Sequence, residues 1–151
     1  MIVLPAPQNP ARLHLMDLPT EFLSRAKTLL GDKGWRMDAE SLDAAATPWR
    51  GTYHGETPFL ALPDSTEQVA ALVKLCAELN IAITPQGGNT GLVDAGTPHG
   101  EITLSLRRMQ NIRAVDPFNN SLTIEAGAPL VAAQTAADDA NRLFPLSLGS
   151  E

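Results

Sequence analysis

Cysteine is almost absent from this 151-residue chain, and its single copy, Cys76, excludes an internal disulfide framework or a metal site of several thiolates. Histidine is scarce as well: His14, His54 and His99 are scattered and show no paired ligand spacing. Basic residues are outnumbered, with 11 Lys and Arg against 17 Asp and Glu, for a formal charge of −6. Binding to a nucleic-acid backbone needs clustered cations, so no nucleic-acid partner is expected. No stretch approaches the roughly 18 continuous apolar residues of a membrane helix, so no membrane span is expected. The first residues lack a cationic start, and Pro5 and Pro7 break their apolar run, which argues against a secretory signal. A reducing, cytoplasmic setting is therefore the expectation. What the chain does have is a composition 44% hydrophobic and 19% charged, enough to bury the core of one domain.

Residues 1–17 read as an irregular lead, broken by Pro5, Pro7, Asn9 and Pro10. Phe22, Leu23, Ala26, Leu29 and Leu30 form a stripe that predicts a helix over 19–30, stopped by Gly31. Residues 31–58 are rich in Gly, Asp and Pro and predict loop, with one short helix near 39–45. From Phe59 the rhythm changes. Residues 59–62 predict a short buried strand, followed by a helix over 66–79 whose apolar face is Val69, Leu72, Val73, Cys76 and Leu79. Ser65 and Gln68 make a capping-box pattern at its start, and Asn80 is a left-handed terminator at its end. Residues 81–84 predict a second buried strand. Strand, helix and strand make a parallel βαβ unit, because the crossover returns the chain in the same direction. The alternation in 101–106 predicts a half-buried strand, and 112–115 with 121–125 predict a hairpin turning through Asp116–Asn120. Pro129 opens a final helix to about Ala140, with Leu130, Ala133, Ala137 and Ala140 on one stripe. The fold class expected is α/β (α+β), a small mixed sheet with a parallel βαβ unit flanked by helices. The last stretch, Leu143-Phe-Pro-Leu-Ser-Leu-Gly-Ser-Glu151, is apolar and core-like, so the chain is expected to be the front part of a longer polypeptide.

The segment richest in chemistry is Thr84-Pro-Gln-Gly-Gly-Asn-Thr-Gly-Leu92. Paired glycines directly after a strand are expected to take positive φ values and to let a ligand approach without meeting a Cβ. Successive amide N–H groups in such a turn form a concave nest for an anion, with Asn89 and Thr90 adding side-chain donors. Residues 84–96 contain no Lys or Arg and one charge, Asp94, so a phosphate held here would rest on main-chain dipoles. A Walker-type loop is excluded because Gly91 is followed by Leu92 and Val93, not by Lys-Ser/Thr. The Gly-x-Gly-x-x-Gly dinucleotide fingerprint is absent too, since the pattern is Gly87-Gly88-x-x-Gly91 leading towards a strand.

Pro85-Gln-Gly-Gly-Asn-Thr-Gly-Leu92 resembles the pyrophosphate-binding loop of flavoenzymes of the vanillyl-alcohol oxidase/p-cresol methylhydroxylase (PCMH-type) superfamily, in the branch holding D-2-hydroxyglutarate and D-lactate dehydrogenases. The resemblance runs from about residue 49 to 151. It includes Trp49-Arg-Gly51, Pro63-Asp-Ser-Thr-Glu-Gln-Val69, Leu104-Ser-Leu-Arg-Arg-Met109, Val115-Asp-Pro-Phe-Asn-Asn120 and Ile124-Glu-Ala-Gly127. It implies an N-terminal lead over 1–48 and, over 49–151, the first lobe of an FAD-binding domain cut before a second glycine-rich segment. The cofactor contacts it implies are Pro85, Gln86, Gly87, Gly88, Asn89, Thr90, Gly91 and Leu92, with Pro145, Leu146, Ser147, Gly149 and Ser150 from the terminal segment. Covalently tethered relatives often carry a histidine where this chain has Asn89, which implies noncovalent FAD. The family's catalytic and metal-binding residues fall beyond Glu151, so none is assigned.

The implied whole enzyme oxidises a D-2-hydroxy acid to a 2-oxo acid and passes electrons to a carrier or quinone. Residues 1–151 alone are expected to be inactive, to hold FAD weakly, and to self-associate through apolar surface. Two other readings stay open: a non-catalytic nucleotide-binding or interaction module, and the same fold running another flavin reaction. Asp94 departs from the family's small residues at its position, and its side chain is expected to face solvent. Cys76 is read as a buried helix residue, Tyr53 and His54 as surface or packing residues, and Arg107 and Arg108 as a solvated strand end. Gly127 is read as a tight strand-to-helix turn, and Asp138 and Asp139 as solvated.

Overall fold

A computed structural model describes residues 17–148 of the chain; the lead over 1–16 and the predicted contacts Gly149 and Ser150 lie outside them. Helix α1 (Thr20–Leu30) is followed by the short strand β1 (Trp35–Arg36), helix α2 (Ala39–Ala46) and strand β2 (Leu60–Ala61). Then come α3 (Thr66–Glu78), β3 (Ile83–Gln86), β4 (Ile102–Ser105), the pair β5 (Ile112–Asp116) and β6 (Ser121–Ile124), and α4 (Leu130–Asp139). The four-stranded sheet runs β1-β2-β4-β3, with β2 and β3 both parallel to β4 and β1 antiparallel to β2. The expected α/β class with a parallel βαβ unit is borne out. The two strands of that unit are separated by β4, which fills the slot between them.

That central position explains a departure from the sequence pattern. The alternation of 101–106 predicts one wet face, yet Ile102, Thr103, Leu104 and Ser105 are all buried. Ile102 and Leu104 join the core made with α1 and α3, from Phe22, Ala26, Leu30, Phe59, Leu72, Leu75 and Cys76. On β2, Leu60 and Leu62 pack instead with Ala45 and Leu42 of α2. The Thr103 backbone N–H donates to Thr57 Oγ1 (3.1 Å), and that hydroxyl donates to Glu101 O (2.8 Å), whereas the Thr103 hydroxyl itself is buried without a hydrogen-bond partner among the described residues. Phe59 is the hub of the aromatic packing, edge-on to Phe22 at 5.5 Å and stacked with Trp35 at 6.2 Å. Residues on both sides of position 48/49 thus share one sheet and one core.

The apolar face of α3 also differs from the sequence reading. Val73 is 44% exposed and Leu75 is buried in its place, because the face turned to the core is Val69, Leu72, Leu75, Cys76 and Leu79. Ser65 Oγ caps Gln68 N at 3.3 Å as expected, but Gln68 Oε1 accepts from Asp64 N (3.0 Å), one residue before the box partner. Asn80 does take the left-handed conformation, with φ 54°. Pro129 is the N-cap of α4, not its first helical residue. Burial pushes the Cys76 thiol up to about 11, which fits an inert core residue.

The hairpin forms as the sequence predicts, with β5 and β6 antiparallel and Asp116 Oδ1 accepting from Phe118 N and Asn119 N in the turn. Two devices bind this second layer to the first. Arg113 reaches Glu125 Oε1 (3.0 Å) on β6's flank and Thr66 Oγ1 (2.9 Å) at the start of α3. The Asn111 backbone N–H, and after it Arg113, hold the Glu125 carboxyl below the usual carboxylate range. Gly127 lies so close under Leu106 O that any Cβ there would collide with backbone, so only glycine fits the strand-to-helix turn.

Candidate functional site: a glycine-lined cleft at the end of a parallel strand

β3 extends two residues further than its sequence pattern suggests and ends at Gln86, so Pro85 and Gln86 belong to the strand and the loop proper begins at Gly87. Loops at the carboxyl ends of parallel strands are where α/β sheets place ligands. Here that loop opens onto a cleft of about 290 Å³ walled by Pro48, Pro85–Gly91 and Asp94–Thr97.

Gln86 fixes the floor. It is 6% exposed, and its side-chain amide donates to Ala45 O at the end of α2 and to Gly96 O at the far end of the loop, both at 2.6 Å. Both side-chain N–H groups are thereby committed, so Gln86 shapes the cleft and offers a ligand no side-chain donor. Asn89 acts in a related way: its Nδ2 donates to Thr47 O (3.2 Å), tying the loop tip to the segment after α2. Asn89 also carries the left-handed backbone, with φ 54°. This corrects the expectation for the paired glycines: Gly87, Gly88 and Gly91 do not have positive φ. Their contribution is the missing side chain. A Cβ on Gly91 would meet nothing within 4 Å, and one on Gly87 or Gly88 would have its nearest neighbour at 3.8 or 3.7 Å, so each would project into open space.

Among the described residues, none accepts a hydrogen bond from the backbone N–H of Gly87, Gly88, Asn89, Thr90 or Gly91. Four of these five residues are exposed, so their amides are open to water or a ligand, and a run of five beside a cleft with no cation in its walls suits an anion. Thr90 is exposed and its hydroxyl is unengaged among the described residues. Leu92 is 56% exposed and outside the cleft walls. Pro145, Leu146 and Ser147 follow α4 in exposed, irregular chain, where Leu146 O accepts from Gln134 Nε2; they are not walls of this cleft either.

Asp94 faces solvent only in part, its side chain being 33% exposed. It lines the cleft, takes φ 62°, and sets Oδ2 3.2 Å from His99 Nε2. Its Oδ1 is out of contact with solvent and has no hydrogen-bond partner. Sequence reading missed this pairing because His99 lies beyond the loop, on the approach to β4; the Asp94-to-His99 spacing of five residues has no meaning until the turn closed by Thr97 N donating to Asp94 O (3.1 Å) brings them together. Arg108 is no phosphate ligand: it donates to Leu62 O and Asp64 Oδ2, each at 2.7 Å, locking the turn after β2 to the end of β4. His54 makes a surface contact with Thr47 Oγ1 (2.8 Å).

A cleft with open space over three glycines, free amides and no cationic wall fits a diphosphate bridge held by main-chain donors. Comparisons with known proteins identify the family. The profile of the family described as "FAD binding domain" matches residues 57–151. A probable D-2-hydroxyglutarate dehydrogenase, mitochondrial, of rice (Oryza sativa) is 36% identical over 135 residues, covering 89% of this chain and 24% of that protein. Solved structures share the fold: an alkyldihydroxyacetonephosphate synthase (TM-score 0.73, 22% identity, 82% of this chain and 25% of that one) and p-cresol methylhydroxylase with substrate bound (TM-score 0.64, 22% identity, 82% and 26%). The chain spans about a quarter of the length of the curated relatives it matches.

The cytoplasmic expectation is overturned: the rice relative and those of Arabidopsis thaliana and Danio rerio are all named as mitochondrial. A single cysteine reports only a reducing milieu, which does not separate those two compartments. No helix among the described residues is long and apolar enough to cross a membrane.

Replacing Gln86 by Leu leaves Ala45 O and Gly96 O without their donors, and the expected cost is about 2–4 kcal/mol of folding stability. Urea midpoints of the two proteins measure it, and equal midpoints would contradict the role given to this side chain. The chain belongs to the family of FAD-binding domains, on a fold shared with p-cresol methylhydroxylase, and its cofactor is FAD.

Proposed function

We propose that this chain supplies the diphosphate-binding lobe of an FAD-dependent dehydrogenase acting on a D-2-hydroxy acid. The observation that carries the proposal is the row of unengaged amides from Gly87 to Gly91 over a cation-free cleft in a chain of this family. Gly87, Gly88 and Gly91 admit the diphosphate to the backbone, Thr90 adds a hydroxyl, and Gln86 with Pro85 holds the loop's root. FAD, when bound, supplies the acceptor for a hydride from the substrate α-carbon, while the hydroxyl proton leaves and a 2-oxo acid results.

The role of these residues is binding and orientation. Asn89 stands where a tethering histidine would be needed; its amide is no nucleophile and is spent on Thr47 O, which supports noncovalent attachment. The 2-hydroxy acid class rests on the relatives named D-2-hydroxyglutarate dehydrogenase and, in fission yeast, a putative D-lactate dehydrogenase. The chemistry on the substrate lies with parts of the protein outside this chain, as does delivery of electrons to a carrier or quinone. Residues 49–151 form the first lobe in this reading, with 1–48 as the N-terminal lead.

Two experiments on the natural-length protein test the reading. Gly88→Ala places a methyl group in the space reserved for the diphosphate without straining φ. The FAD-free protein is expected to keep its stability or gain about 0.4–1 kcal/mol. Its FAD dissociation constant, followed by flavin fluorescence, is expected to rise at least tenfold, roughly the loss of one charge-assisted hydrogen bond. An unchanged constant would remove the diphosphate from this loop. A screen of D- and L-2-hydroxy acids with an artificial electron acceptor is expected to show dye reduction by D-enantiomers; reduction by neither, in FAD-loaded protein, would overturn the substrate class.

A further inference from the structure

The one charge in the cleft has the wrong sign for a diphosphate site. Asp94 lines the same walls as the free amides, and residues 84–97 contribute no Lys or Arg to offset it. Its carboxylate is only half satisfied: Oδ2 meets His99 Nε2 at 3.2 Å, while Oδ1 has no partner. A carboxylate in this position repels every anion that enters, and the repulsion grows with each charge the ligand carries. Its geometry is built in, since φ 62° and the Thr97 N to Asp94 O hydrogen bond hold the residue in the loop's return turn.

We propose that Asp94, backed by His99, is a specificity-determining residue: a charge filter that admits the diphosphate diester of FAD and rejects free phosphates and pyrophosphate. The inference rests on the diphosphate reading of the loop given above. A diester bridge spreads two charges over two phosphorus atoms, and five amides answer them. Inorganic pyrophosphate carries additional charge in the same space, and FMN concentrates its charge on one terminal phosphate. Either meets the same donors and a larger repulsion from Asp94. His99 holds Oδ2 in place from one side, while Glu101 Oε2 accepts from His99 N (2.6 Å) and the Glu56 backbone bridges to His99.

The test uses natural-length protein stripped of FAD, with FAD, FMN and inorganic pyrophosphate as probes. Dissociation constants are read by flavin fluorescence and, for pyrophosphate, by competition. The variant is Asp94→Asn, which keeps shape and tolerates left-handed backbone. Asp94→Asn is expected to strengthen pyrophosphate and FMN binding roughly threefold to tenfold more than FAD binding, the effect of one neighbouring charge at partly screened distance. Equal changes for all three probes in Asp94→Asn would overturn the filter. Should Gly88→Ala weaken FAD while Asp94→Asn changes no ratio, only the filter fails. Should neither substitution affect any probe, the diphosphate reading of the loop fails with it.

Discussion

The site depends on one buried side chain holding a loop open. Left alone, a turn of small residues would fold its amides onto neighbouring carbonyls, because unpaired main-chain donors are costly wherever water is restricted. Gln86 opposes this by donating to Ala45 O and Gly96 O, which ties the root of the loop to its far end while the amides between them stay free. Asn89 adds a second tie at the tip through Thr47 O. The result is a rigid frame around a flexible sequence, which is what preorganised binding requires.

The frame is anchored in the sheet. β3 ends at Gln86 in register with Ser105 of β4; β4 packs on the α1–α3 core, and its neighbour β2 packs on α2. Arg108 closes the end of β4 against the turn after β2, and Gly127 slides under Leu106 to bring the hairpin and α4 alongside. Residues far from the cleft therefore determine where its floor lies. Phe59, fully buried between Phe22 and Trp35, is part of that support even though it belongs to the segment leading into β2.

The elements with strong periodicity were legible in the sequence: α1 from its Phe22–Leu30 stripe, α3 from its cap and face, the hairpin from Asp116–Asn120. The glycine loop was legible through its resemblance to a known pyrophosphate-binding loop, since paired glycines alone more often make a plain structural turn. Where the reading slipped, tertiary context decided. Thr103 and Ser105 look like solvent positions until β4 is seen to be central, and Val73 looks like core until the helix is rotated against α1. Trp35–Arg36 is too short to show any period, yet it pairs with β2. In the site itself, sequence reading identified the right segment and mistook the division of labour. The positive φ sits on Asn89, Gln86 and Asn89 spend their side chains on the protein, and Asp94 pairs with His99. None of these follows from residue type, because each depends on a carbonyl or a ring brought near by a different part of the chain.

The central claim is that main-chain amides, not cationic side chains, hold the cofactor's diphosphate. Amide hydrogen exchange on the natural-length protein, with and without FAD, reads those groups directly. The account predicts that FAD slows exchange across Gly87–Gly91, whose amides have no partner within the described chain, while the already bonded amides of the β5–β6 hairpin change little. FAD binding that leaves exchange at Gly87–Gly91 as fast as in the FAD-free protein would contradict it.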